Sequence, residues 1–255
     1  MELGTISICF FFLFSFLSPV IADTHYVSPS GGSISPYTNW VDAATNIQDS
    51  IDVSSDGDLV LVADGVYAQG GRPAPGSSLT NRVTVDKAVT LRSLNGPATT
   101  FILGAPQPLT TNGPAAVRCV YLTTNSSLIG FTITNGHTTA SSSSDLEQDG
   151  GGIFCASVSC AISHCTITGN SAHDDGAGCR YGTLRNCILT GNLAGNHGGG
   201  SSGSILYNCI LTGNWAWSYG GGGTDNSTLY NCTLTENGSW KYGGGCLNGT
   251  LYNCI

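Results

Sequence analysis

The second half of the chain repeats one pattern of apolar and polar positions about every 22 residues. The copies read Cys165-Thr-Ile-Thr-Gly-Asn170, Cys187-Ile-Leu-Thr-Gly-Asn192, Cys209-Ile-Leu-Thr-Gly-Asn214 and Cys232-Thr-Leu-Thr-Glu-Asn237, and a fifth begins at Cys254. A glycine cluster precedes each copy, as at Gly198–Gly200 and Gly220–Gly223, and a leucine stands three residues before the cysteine at Leu184, Leu206, Leu229 and Leu251. Cysteine and the aliphatic residue two positions on (Ile167, Leu189, Leu211, Leu234) share a face because strand side chains alternate. The residues between them, Thr166, Ile188, Ile210 and Thr233, face outward. The leucine has the opposite parity, so a corner near Asn186, Asn208, Asn231 and Asn253 must return it to the inside. No helical period fits; short strands separated by Gly and Asn do.

One such coil cannot bury its own apolar face, whereas stacked coils can, with Leu on Leu, Cys on Cys and Asn on Asn at about 4.8 Å per layer. Parallel crossovers are right-handed. The expected fold is therefore all-β, a right-handed parallel β-helix solenoid. Upstream, Phe131-Thr-Ile-Thr-Asn135 matches the cysteine motif with Phe in place of Cys. The spacing from Phe131 to Cys165 exceeds one coil, and the surplus falls on His137–Asp149, a Ser/Thr-rich acidic stretch that reads as a loop. Val83-Thr-Val85 and Val89-Thr-Leu91 extend the alternation further back. The whole predicts roughly eight coils and a rod about 40 Å long.

The first 22 residues read as a secretory signal peptide, with an apolar core over Ile6–Leu17 and small residues before Asp23. Residues 23–57 read as an N-terminal cap. In it His25–Val27 is a strand, and Asp42 caps a helix over Ala43–Val53 with Ala43, Ile47 and Ile51 on one face. The β-helix proper occupies 58–255, opening with the buried strand Asp58–Val62. A helix there plugs the open end of a solenoid, which otherwise exposes core and strand edge. The chain stops inside a strand at Ile255, so further C-terminal coils or an anchor are expected beyond it. No second apolar span follows the signal peptide, and no membrane span is expected in the mature chain.

Charged residues make up 9% of the chain, 16 acidic against 8 basic, which leaves no basic stripe for nucleic acid. Of eleven cysteines, Cys165, Cys187, Cys209, Cys232 and Cys254 hold one inward position and read as a ladder of small buried hydrophobes. Cys155, Cys160 and Cys179 fall outside the ladder and are the better disulfide candidates for an exported protein. No C-x-x-C pair suggests zinc.

Asn46-Ile-Gln-Asp-Ser-Ile51 followed by Gly57-Asp-Leu-Val-Leu-Val-Ala-Asp-Gly-Val-Tyr67 resembles the cap and first strand of pectin-lyase-like right-handed β-helix proteins. The Gly-rich Asn-Cys-x-Leu coils resemble those of secreted bacterial β-helix repeat proteins and, more distantly, the passenger repeats of polymorphic outer-membrane proteins. The resemblance covers most of 25–255. It implies a fold and little about function, because this fold hosts lyases, hydrolases, esterases, adhesins and tail spikes.

Members of the fold that cleave uronic-acid chains use carboxylates with calcium and a basic residue, and its glycoside hydrolases use clustered aspartates. Here the regular strands carry almost no Asp or Glu. Acidic residues collect at Asp145-Leu-Glu147-Gln-Asp149 and at His173-Asp174-Asp175. The catalytic candidates are His173, Asp174 and Asp175 with Arg180, and Arg185 as the alternative basic partner. Asp225, in Gly220-Gly-Gly-Gly-Thr-Asp225, is the one candidate metal ligand, for calcium. The glycines at 198–200 precede a strand and not a helix, so they carry no nucleotide site. Exposed aromatic rings stack on sugar faces, and the candidates for that role are Tyr207, Trp215, Trp217, Tyr219, Tyr230, Trp240 and Tyr242. The Asn-x-Ser/Thr sequons at Asn125, Asn226, Asn231, Asn237 and Asn248 arise by chance in such a repeat and matter only in a eukaryotic host.

A regular repeat without a convergent polar site favours a secreted or surface-displayed, non-catalytic domain: a stalk, an adhesin or a passenger that binds polysaccharide or cell-surface glycan. The alternative is a polysaccharide-active enzyme, a lyase or glycoside hydrolase, centred on His173–Asp175.

Overall fold

Four short strands make one coil. In the computed structural model, which describes residues 22–140 and 144–255, a representative coil runs through Thr183–Arg185, Ile188–Thr190, Leu193–Ala194 and Ser201–Ser202 before Ile205–Tyr207 starts the next. Each strand pairs in parallel with its counterpart one coil on: Leu184 with Leu206, Leu189 with Leu211, Ala194 with Ala216 and Ser202 with Asp225. The strands line up in four sheets, which the coil visits in turn and which contain nine, seven, four and eight strands. The chain is the right-handed parallel β-helix that its repeat predicts. Nine strands in the first sheet make eight steps of layer spacing, about 38 Å. One strand pair among the described residues is antiparallel, Arg72–Pro73 against Thr80 and Asn81 at an edge, and an isolated bridge joins Ala105 to Val117 in the same sense. The expected signal peptide falls on residues outside those described, apart from Ala22. No helix among the described residues is long and apolar enough to cross a membrane.

The corners follow from backbone chemistry. Asn186, Asn208, Asn231 and Asn253 all have φ of 53°, the left-handed conformation that Asn tolerates better than most residues. Each turns the chain by reversing the side-chain parity between leucine and cysteine. Leu184, Cys187 and Leu189 therefore all point inward and are fully buried, while Ile188 remains exposed. Gly191 and Gly213, at φ 63°, make the next corner.

A second asparagine column lies inside. Asn170, Asn192 and Asn214 are buried, and each side chain serves three layers. The Asn192 Nδ2 donates to Ile167 O at 2.9 Å and to Asn214 Oδ1 at 2.9 Å, while its Oδ1 accepts from Asn170 N at 3.1 Å and from Asn170 Nδ2 at 3.0 Å. Amides thus satisfy backbone groups at a bend where the sheet ladder is interrupted.

The first strand, Thr24–Val27, pairs with Leu59–Val62 and opens the first sheet. The capping helix is shorter than expected, Ile47–Val53, and Asn46 caps it by accepting from Asp49 N at 3.0 Å. Asp42 is not its cap: it takes a hydrogen bond from Asn39 in an exposed turn. The reason lies in the first strand, which claims the backbone of Ala44: Ala44 N donates to Tyr26 O and Ser28 N to Ala44 O, so that stretch stays extended. Ala43, Ile47 and Ile51 are nonetheless buried, as their spacing required. Lys87 closes the other end of the helix by donating to the carbonyls of Ile51, Asp52 and Ser54.

All ten cysteines from Cys119 to Cys254 are free thiols, eight of them buried. Cys155, Cys160 and Cys179, the expected disulfide candidates, meet in the interior without a bridge. A reductant is therefore expected to leave the melting temperature of the folded protein unchanged; a marked fall in calorimetry would contradict free thiols. Replacing Asn192 by Ala removes a partner from two buried backbone groups and is expected to cost about 3 kcal/mol in denaturant unfolding. Asn208→Ala, at an exposed corner, is expected to cost about 1 kcal/mol, because it loses only a tolerated left-handed conformation.

Candidate functional site

Two constellations carry chemistry, and both grow from the turn between the third and fourth sheets. The first is charged. The segment 137–149 inserts ahead of the coil that begins at Gly150, and a helical turn, Asp145–Gln148, brings Asp149 back to the body. Arg118, fully buried on the fourth sheet, holds this segment from below. It donates to the carbonyls of Leu146, Asp149 and Gly150 and to Asn81 Oδ1, and its guanidinium lies 5.1 Å from the Phe154 ring centroid. Burial lowers its pKa to about 10.

Asp149 is held from above by the next coil. Its Oδ2 lies 2.9 Å from Arg180 Nε, an ion pair in which the N–H is not aligned on the acceptor, and its Oδ1 accepts from Asp175 N at 3.0 Å. Asp175 in turn faces Arg180 Nη1 at 3.5 Å and binds His197 through both the backbone N and the ring Nδ1, each at 3.0 Å. Burial pushes the Asp149 carboxyl up to about 7, with Asp175 and Asp174 adding to the rise and Arg180 opposing it. Asp175 is raised as well, chiefly by burial and then by Asp174, against Arg180 and His197.

The structure thus brings Asp175 and Arg180 together and adds Asp149, Arg118 and His197. Asp174 stands beside them and takes a short hydrogen bond from Asn196. His173 points away and is exposed. Arg185 is elsewhere, on the first sheet, with its guanidinium 4.0 Å from the Tyr207 ring centroid. The left-handed corner at Gly182 separates the two arginines: it ends the fourth sheet and starts the first. The charges largely satisfy one another: the side chains of Asp149 and Arg180 are 2% and 13% exposed.

The second constellation is aromatic. Trp217, Trp240 and Tyr242 are 51%, 71% and 60% exposed and cluster at the third-sheet side. Trp217 lies 6.2 Å from Trp215, edge to face, and 6.3 Å from Trp240. Tyr219 stacks on His197 at 5.0 Å, with the Lys241 ammonium 5.0 Å from its ring. Two recesses meet at Trp217. One, of about 420 Å³, is bounded by Trp217, Ser218, Tyr219, Trp240 and Lys241. The other, of about 210 Å³, runs back along the third sheet past Leu193, Gly195, Ser171 and His173 to Thr111 and Asn112. Trp215 serves packing instead, because its ring lies flat on Gly238 in the next coil, where any side chain would collide with it.

Tyr207 and Tyr230 are not part of this cluster. With Tyr252 they form a ladder on the first sheet, rings 4.8 Å apart and nearly parallel, each covering the next. Asp225 is buried on the fourth sheet, and its carboxylate accepts from Asn226 at 2.7 Å and Asn248 at 3.3 Å. Among the described residues no group of three or more His, Cys, Asp or Glu side chains is arranged to hold a metal ion.

No protein-family model matches the chain, and no curated protein matches it. Among solved structures it is similar to the rice weevil pectin methyl esterase, at 10% sequence identity and a TM-score of 0.45, over 84% of this chain and 87% of that chain. No residue role passes from that protein to this one.

The raised carboxyls make a pH prediction. A carboxyl whose pKa rises on folding stabilises the folded state below its unfolded value near 4, and that contribution is lost as pH climbs through the folded value, here about 7 for Asp149. Unfolding free energy is expected to decline between about pH 4 and pH 7. Asp149→Asn is expected to flatten that decline, and an unchanged slope in denaturant titrations across the range would refute the assignment.

Proposed function

We propose that this chain is a secreted or surface-displayed, non-catalytic β-helix domain that binds glycan through the groove centred on Trp217. The observation that carries the reading is the meeting of two recesses at one exposed indole, with Trp240 and Tyr219 on one side and a polar rim of Asn112, Ser171 and His173 on the other. An aromatic face supplies flat apolar contact to a sugar ring, and a polar rim meets its hydroxyls. The carboxylate and arginine groups nearby are paired with one another and largely buried, which suits a structural clamp better than a reacting centre.

One observation favours the enzyme reading: Asp149, with its pKa raised to about 7, sits beside Asp175, Arg180 and His197, a combination suited to proton transfer. Incubation with acidic and neutral polysaccharides, with and without calcium, separates the two. The binding reading expects retained protein and intact chains. Shortened or chemically altered polysaccharide abolished by Asp149→Asn would transfer the function to the charged cluster. Trp217→Ala is expected to weaken polysaccharide binding by about tenfold or more in affinity electrophoresis, the loss of one well-placed stacking ring. Tyr230→Ala, in the first-sheet ladder, is expected to leave binding unchanged.

A further inference from the structure

His173, Gly195 and Trp217 occupy the same place in three successive coils, 22 residues apart, just after the inward-facing alanines Ala172, Ala194 and Ala216. The register is fixed by Gly195 N donating to Ala172 O at 3.1 Å and Trp217 N to Ala194 O at 3.0 Å. The middle position has no side chain. Nor does it accept one, since a Cβ at Gly195 would collide with the backbone carbonyl of His173. The ladder therefore forces a gap of two layers between an imidazole and an indole, about 10 Å from backbone to backbone. A ring lying between two walls needs about 3.5–4.0 Å to each. The gap takes one ring and excludes a stack of two.

The floor of this slot is strand, and its edge is polar. Asn112 reaches across from the loop before the fourth sheet and donates to Ser171 Oγ at 3.2 Å, while its Oδ1 accepts from Thr138 N at 3.2 Å. His173 lines the recess, and no hydrogen bond of its ring is formed among the described residues. We propose that the slot over Gly195 is a sandwich site for a single sugar ring inserted from solvent between His173 and Trp217. A ring held on two faces and floored by strand has its attachment pointing outward. The ligand class is therefore a pendant sugar, a one-residue branch or a chain end, and not an internal stretch of an unbranched chain. This rests on the glycan-binding reading above and narrows it.

The test uses paired polysaccharides in which one member carries single-sugar branches and the other has lost them: galactomannan with mannan, arabinoxylan with xylan, xyloglucan with cello-oligosaccharides. Residues 23–255, the given chain without the expected signal peptide, are assayed by affinity electrophoresis. At least one branched member is expected to be retained about tenfold more strongly than its debranched partner. That preference is expected to vanish in His173→Ala, to survive in His173→Phe, which keeps a flat wall, and to survive in Tyr230→Ala, which lies in the first-sheet ladder away from the groove. Circular dichroism confirms that each variant is folded. Binding of branched and debranched members alike, unaffected by His173→Ala, overturns the slot while leaving glycan binding intact. Absence of binding to every member overturns both.

Discussion

Each layer of this protein is completed by its neighbour, so the polar groups buried at its bends find their partners one coil away. Strands of two or three residues cannot satisfy the bends between them by themselves. The asparagine column through Asn170, Asn192 and Asn214 does so by turning both an acceptor and a donor to the backbone of the preceding coil, while the second amide proton goes to the asparagine of the next. That demand fixes the period. An insertion or deletion beside the column would displace an amide from its neighbour's backbone, so extra residues fall in turns away from it: the coil from Asn214 to Asn237 is one residue longer, in the turn between the third and fourth sheets, and keeps both amide bonds.

The segment 137–149 is such a place, and it explains why the charges gather where they do. It leaves the coil after the second sheet, and its first residues still bond the layer before, His137 N to Val117 O and Gly113 N to Thr138 O. The carbonyls of Leu146 and Asp149 are taken by Arg118, and Asp149 is caught between Arg118 below and Arg180 above. Glu147 adds a second tie, accepting from Ser77 and Ser78 on an earlier loop. Burying several charges is costly, and leaving one unpaired costs more. Asp175 and His197 extend the network over two more coils and keep it closed.

The same regularity produces the recess. Along the third sheet the inward positions repeat as alanine, while the outward ones change from coil to coil: Ser171, Leu193 and Trp215 on the strands, His173, Gly195 and Trp217 just after them. The backbone is periodic and the surface is not. Relief on a solenoid arises by varying one outward position against a constant frame, which is how a stack of near-identical coils can hold a site at one place along its length.

Much of the fold was legible in the sequence because the physical rule behind it is short-range. Strand alternation gave the inward faces of Cys187 and Leu189, and the parity break at Leu184 demanded the corner that Asn186 makes with its left-handed backbone. Helix spacing identified Ile47 and Ile51 as core, although Asp42 was misjudged as the cap because the competing claim on Ala44 comes from a strand distant in sequence. The charged cluster was half visible. Asp175 and Arg180 are close in the chain, but Asp149 is contributed by the insertion, Arg118 by the coil before it and His197 by the coil after. Arg185, five residues from Arg180, is carried round a corner to another sheet. The aromatic residues divided in the same way: their period announced stacking, yet only the direction of each coil's turns separated the self-covering Tyr207 ladder from the open face at Trp217. Local chemistry determined the coil. Which side chains meet across coils depended on where each turn points, and that is set by the tertiary stack.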